Sequence, residues 1–132
     1  MEQKDYLMRQ IDQLGVVLAA ILGKLLGLKN QVQSIHAIEL VTNELKEEAN
    51  IDLEDILNED IEKILSNNNL NMSNLETLTN ILLETAETKK NEEQLTIYRK
   101  CLELFEYINK NDKNLSFERF QKIEELKKVI MT

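Results

Sequence analysis

The chain has no proline and no tryptophan, and only three glycines, one cysteine and one histidine in 132 residues. Sandwiches, barrels and collagen-like rods need frequent Gly and Pro punctuation, so these architectures are excluded. A lone Cys101 cannot close an internal disulfide, and a lone His36 cannot build the usual zinc cluster of several Cys and His ligands. A reducing, cytoplasmic setting is the expectation. Glycine-rich phosphate loops are missing, GxGxxG and GK[ST] alike. An excess of positive charge is missing too, since 24 acidic against 16 basic side chains leave a net −8. Such a field repels nucleic-acid phosphates and anionic lipid surfaces, so no nucleic-acid partner is expected.

What is present is apolar periodicity. Hydrophobic residues make up 42% of the chain, enough to offset the ordering entropy of one compact domain of this length. Leu7, Ile11, Leu14, Leu18, Ile21 and Leu25 recur in steps of four and three, which predicts a first helix over residues 4–26. A second, over 31–48, presents Val32, Ile35, Ile38, Val41 and Leu45 on one face. The short link at 27–30 folds it back as an antiparallel hairpin. Asp52 is placed to cap a short helix containing Leu53, Ile56 and Leu57, and Asn58 to cap another containing Ile61, Ile64 and Leu65. The Asn-rich stretch that follows offers the backbone rival hydrogen bonds, so 66–72 reads as a loop dividing an N-terminal from a C-terminal helix group. Ser73 and Glu76 form a capping box that starts a helix carrying Leu75, Leu78, Leu82 and Ala86 and ending near Thr88. A helix over 92–110 bears Leu95, Tyr98, Leu102, Phe105 and Ile108, with Cys101 on the same apolar face. Ser116 then caps a last helix with Phe117, Phe120, Ile123, Leu126 and Ile130. The aromatics Phe105, Phe117 and Phe120 are assigned to the core. Residues 1–132 thus form one all-α domain, an array of about six or seven antiparallel helices.

Two features stand out as candidate interaction sites. Gly15, Ala19, Gly23 and Gly27 lie four apart and form a small-residue stripe that suits close helix packing or an oligomer contact, with Gly27 also placed as a C-terminal cap. Residues 41–98 hold 14 acidic and four basic side chains, a net −10. Within them Glu44, Glu47, Glu48, Asp52, Glu54 and Asp55 form a solvated acidic face that could dock a basic partner. The apolar run at 14–28 is shorter than the ~20 residues of a bilayer span and is broken by Lys24, so no membrane span is expected. Catalytic and cofactor constellations are not found. His36 has only Glu39 at i+3, and Asn109, Asn111 and Lys113 fall on EF-hand-like positions with a cation at the third and no glycine at the sixth. No cofactor, metal or enzyme activity is expected.

Asp5-Tyr6-Leu7-Met8-Arg9-Gln10-Ile11, the later stretch from Leu22 to Lys29, and Leu115-Ser116-Phe117-Glu118-Arg119 resemble a family of small bacterial all-helical proteins of unknown function, with a D-Y-x-x-R-Q-I opening. That resemblance implies no activity. Tyr98-Arg99-Lys100-Cys101-Leu102-Glu103-Leu104 is similar to the Y-x-K-A-L-E-L of tetratricopeptide repeats, and His36-Ala37-Ile38-Glu39-Leu40 to the A-I-E-L of the same helix type. Gln94 stands where that repeat has a small residue, and the two matches do not recur at the repeat's period of about 34 residues. The resemblance implies tetratricopeptide-like helical hairpins without true repeats. Taken together, the expected function is a protein-interaction or scaffold module for a peptide or partner helix. The alternatives are a structural homo-oligomer, such as a homodimer, assembling through the first helix, and a small enzyme or ligand-binding regulator without a recognisable motif.

Overall fold

The apolar seam of the first residues forms one long helix, α1 (Glu2–Lys29), in the computed structural model, which describes residues 2–29 and 34–132. It is followed by α2 (Ser34–Glu44), a π-helical turn (Leu45–Ala49), α3 (Leu53–Asn58), α4 (Ile61–Asn68), α5 (Met72–Ala86), α6 (Asn91–Asn111) and α7 (Phe117–Met131). The fold is all-α, and the described residues contain no strand. Helix α1 runs through Gly27, which therefore caps nothing. The rest of the expected 27–30 link, from Asn30 on, and Val32 lie outside the described residues.

Short polar side chains set the helix ends. Asn50 sits in the left-handed region at φ 56°, where asparagine is tolerated, and ends the π turn while Ile51 N–H donates to the Leu45 carbonyl at 3.0 Å. Asp52 caps α3 as predicted, its Oδ1 accepting from Glu54 N–H at 2.9 Å. Asn58 does not cap α4. It stays helical and its Nδ2 donates to the Glu54 carbonyl, while Asp60, on extended backbone, accepts from Lys63 N–H at 3.0 Å. The loop at 66–72 shrinks to 69–71, because Ser66 and Asn68 donate back to the Lys63 and Ile64 carbonyls and prolong α4. Helix α5 is capped by Asn71, which accepts from Asn74 N–H at 2.8 Å, so the Ser73–Glu76 box does not form. Ser116 caps α7 as predicted, accepting from Arg119 N–H.

Helix α5 is the central element, packed between α1 and α6, and buries Leu75, Leu78, Ile81 and Leu82. Each such side chain contributes roughly 1.5–3 kcal/mol. Helix α2 and the π turn fold back along α1, α7 packs on α6, and α3 touches α6. Leu18, Ile21 and Leu25 bring α1 into the same core, whereas Tyr6, Leu7 and Met8 extend past it and stay exposed. Phe105 is buried, but Phe117 and Phe120 are 76% and 52% exposed, against expectation. The buried stripe of α7 is Arg119, Ile123 and Leu126, which turns the two phenylalanines outward.

Candidate functional site

A cleft of about 410 Å3 opens where α2, α3, the end of α5 and the start of α6 converge. Ile38, Leu53, Leu57, Leu82 and Ile97 give it an apolar floor. Leu53, Leu82 and Ile97 belong to the core, while Ile38 and Leu57 are half-buried and pack against it. Thr42, Thr85 and Thr96 line the walls, and each hydroxyl donates to a carbonyl of its own helix: Ile38 at 2.7 Å, Leu82 at 2.7 Å and Glu92 at 2.8 Å. Their donor capacity is spent, so the walls offer methyl groups and acceptor lone pairs rather than free hydroxyl protons. Asn58 spends an amide proton in the same way on Glu54. Charged groups occupy the rim. Lys46 lies 3.8 Å from Asp52 and Lys89 lies 3.5 Å from Glu93, and Glu54 stands beside them without a cation in ion-pair range among the described residues.

The predicted acidic face is not one surface. Glu44 pairs with Lys24 of α1, and Asp52 is committed to capping α3 and to Lys46. Glu48 borders a hollow shared with Gln10, Gln13 and Asn69, whereas Asp55 borders a polar hollow with Asn50, Glu59 and Asn67 that adjoins the cleft through Lys46 and Asp52, which line both. Only Asp52 and Glu54 of the six reach the cleft, and Glu47 is exposed elsewhere on the π turn. No group of three His, Cys, Asp or Glu among the described residues is arranged to hold a metal ion. Asn109 and Asn111 are engaged with Arg119 and the Tyr107 carbonyl, respectively.

The small-residue stripe also divides. Gly15 packs against α5, where a Cβ would stand 2.8 Å from Asn74 Oδ1; that side chain is held in place by its Nδ2 donating to the Ile11 carbonyl at 3.0 Å. Among the described residues a Cβ at Gly23 or Gly27 would meet nothing within 4 Å, and Ala19 is exposed. With Val16, Ala20 and Leu26 they leave an apolar outer face on α1. By length and composition α1 is long and apolar enough to cross a membrane over Lys4–Gly27, a wider window than the apolar run at 14–28. In the fold its Leu18, Ile21 and Leu25 are committed to the core.

Cys101 is buried, its Sγ 3.9 Å from the Thr79 carbonyl, and burial pushes its thiol far above the ordinary range. Two buried cations were not legible in the sequence. Arg119, 1% exposed, donates to Asn109 Oδ1, Glu76 Oε2 and the Asn114 carbonyl, each at 3.0 Å, and lies 3.6 Å from Asp112. Lys100 donates to the Glu59 carbonyl at 2.5 Å, placing a positive charge at the C-terminal end of α3. The signal for Arg119 was its spacing, four and seven residues before Ile123 and Leu126. Compared with known proteins, the chain matches no family model, no curated protein and no solved structure. The resemblances therefore rest on the residues quoted for them.

Proposed function

We propose that the chain is a non-catalytic protein-interaction module that takes a peptide or partner helix in the cleft between α2–α3 and α5–α6. One observation carries this reading: an apolar floor, half-buried at Ile38 and Leu57, is walled by threonines whose hydroxyl protons are already committed. Such walls favour apolar side chains over a polar metabolite, which would need free donors to fix its orientation. A cleft of this size accepts a few apolar anchors, the way amphipathic helices seat in grooves. Tetratricopeptide-like packing and a cytoplasmic setting belong to the same reading; the first is supported by the residues around Tyr98, the second by the lone buried thiol. Affinity capture from the native cell tests it, with the intact chain and its Leu57→Glu variant as baits. A partner recovered by the first and lost with the second supports the cleft, whereas identical recovery with both contradicts it.

A second reading, a homo-oligomer built through α1, is favoured by the outer face of that helix, where Val16 is 70% exposed among exposed Ala19, Ala20, Gly23 and Leu26. Soluble monomers rarely leave a large contiguous apolar patch in water. Sedimentation of the chain and of an Ala20→Glu variant decides it: a dimer that the substitution dissolves supports this assembly, and a monomer in both cases removes it.

A further inference from the structure

Resting on the cleft reading, we infer that the segment it takes is a basic amphipathic helix, with apolar anchors on one face and Lys or Arg along the flanks. The rim carries its charges in an uneven balance. Lys46 with Asp52 and Lys89 with Glu93 are close pairs that largely cancel, at 3.8 and 3.5 Å, and Glu54 is left over. The cleft mouth is therefore net negative, and it lies within a stretch of chain, residues 41–98, whose net charge is −10. A partner's cations would meet Glu54 directly and could also share the carboxylates of Asp52 and Glu93, whereas a partner's carboxylates would meet an excess of like charge. The floor sets the other half of the chemistry. Ile38, Leu57 and Ile97 come from three different helices, so several anchors spaced along one helix face fit better than a single flat ring. The spent hydroxyls of Thr42, Thr85 and Thr96 leave anchor contacts apolar, and the exposed rim leaves the charges in water. The apolar anchors thus set the affinity, and the rim charges set orientation and partner choice.

The test uses the full chain and two labelled synthetic helices of about 15 residues with the same leucine pattern, one carrying lysine and the other glutamate at every polar position. Fluorescence anisotropy reads binding. The lysine peptide is expected to bind saturably, with the glutamate peptide bound at least about tenfold more weakly. Reversing the rim charges in a Glu54→Lys, Glu93→Lys double variant is expected to weaken the lysine peptide about tenfold. The same charge change placed on α7, Glu124→Lys with Glu125→Lys, should leave its affinity nearly unchanged. All four substituted positions are exposed, so the fold persists, and circular dichroism checks it. Equal binding of both peptides, no binding of the lysine peptide, or equal weakening by the rim and the α7 variants each overturns the inference. A glutamate peptide that binds and is displaced by Leu57→Glu would overturn the charge preference alone and leave the cleft reading standing. Cleft-dependent capture from cells likewise survives the failure of both peptides.

Discussion

Glycine at position 15 and glycine at position 23 look alike in the sequence and do opposite things in the fold. Gly15 makes room for Asn74, whose amide is held by the Ile11 carbonyl, so Gly15→Ala drives a methyl into a fixed group and should cost about 1–3 kcal/mol. Gly23 faces open space, and Gly23→Ala should gain roughly 0.5–1 kcal/mol from helix propensity alone. Chemical denaturation of both variants checks the pair; equal shifts in one direction would contradict the placement of α1 on α5. The spacing shows that the stripe exists, but which of its members meets a neighbour depends on where α5 lies, 59 positions further along the chain between Gly15 and Asn74. The burial of Cys101 was legible from its place on a face with Tyr98, Leu102, Phe105 and Ile108, of which Phe105 and Ile108 are buried and Tyr98 and Leu102 half-buried. Its thiol is held neutral by burial, so the stability it supports is complete below the ordinary thiol pKa of about 8.5 and declines above it, where only the unfolded chain ionises. Wild type should lose stability relative to Cys101→Ala as pH rises past that value. Labelling by a thiol reagent at neutral pH should proceed only as fast as the chain opens, and rapid native labelling would sink this assignment.

At the scale of elements, periodicity locates every helix, and local polar competition moves the boundaries. Ser66 and Asn68 have the composition of breakers, yet each donates to a carbonyl of the preceding turn and lengthens α4. Glu76 has the spacing of half a capping box and instead reaches Arg119 on α7, a contact 43 residues away that no local pattern encodes. Apolar spacing places Ile123, Leu126 and Ile130 of α7 against the core correctly and fails only over its first turn, where buried Arg119 takes the inward place and Phe117 and Phe120 lie outward. The guanidinium ties the start of α7 to the end of α6, the connecting turn and α5 through three hydrogen bonds. Its carboxylate partners, Glu76 and Asp112, are about a quarter exposed and stay hydrated when it is removed, so Arg119→Met should cost about 3 kcal/mol, the lower end for breaking a buried pair. Arg119→Lys should recover little of this, because one ammonium cannot span the three acceptors. Urea unfolding measures both, and a loss under about 1 kcal/mol for Arg119→Met would mean that the clasp is incidental.

For the whole molecule, all-helical architecture follows from composition and period, while the cleft does not. Its lining comes from four helices and the π turn, and Ile38, Leu57 and Leu82 each read as an ordinary core position until those elements meet. The acidic run is visible in the sequence, but its carboxylates divide: Glu44 meets Lys24 and Glu48 another hollow, while Asp52, Glu54 and Asp55 lie around the cleft and the hollow adjoining it, because the π turn and the left-handed Asn50 redirect the chain between Glu48 and Asp52. Net charge therefore gives the sign of the surface field but not which surface carries it. The most direct test of that place is a backbone amide chemical-shift map of the full chain titrated with the lysine–leucine helix. Shifts confined to residues around Ile38–Lys46, Leu53–Asn58, Leu82–Lys89 and Glu93–Ile97 are the predicted result. Shifts centred on the outer face of α1, around Val16, Ala20 and Gly23, with the cleft silent, would contradict it.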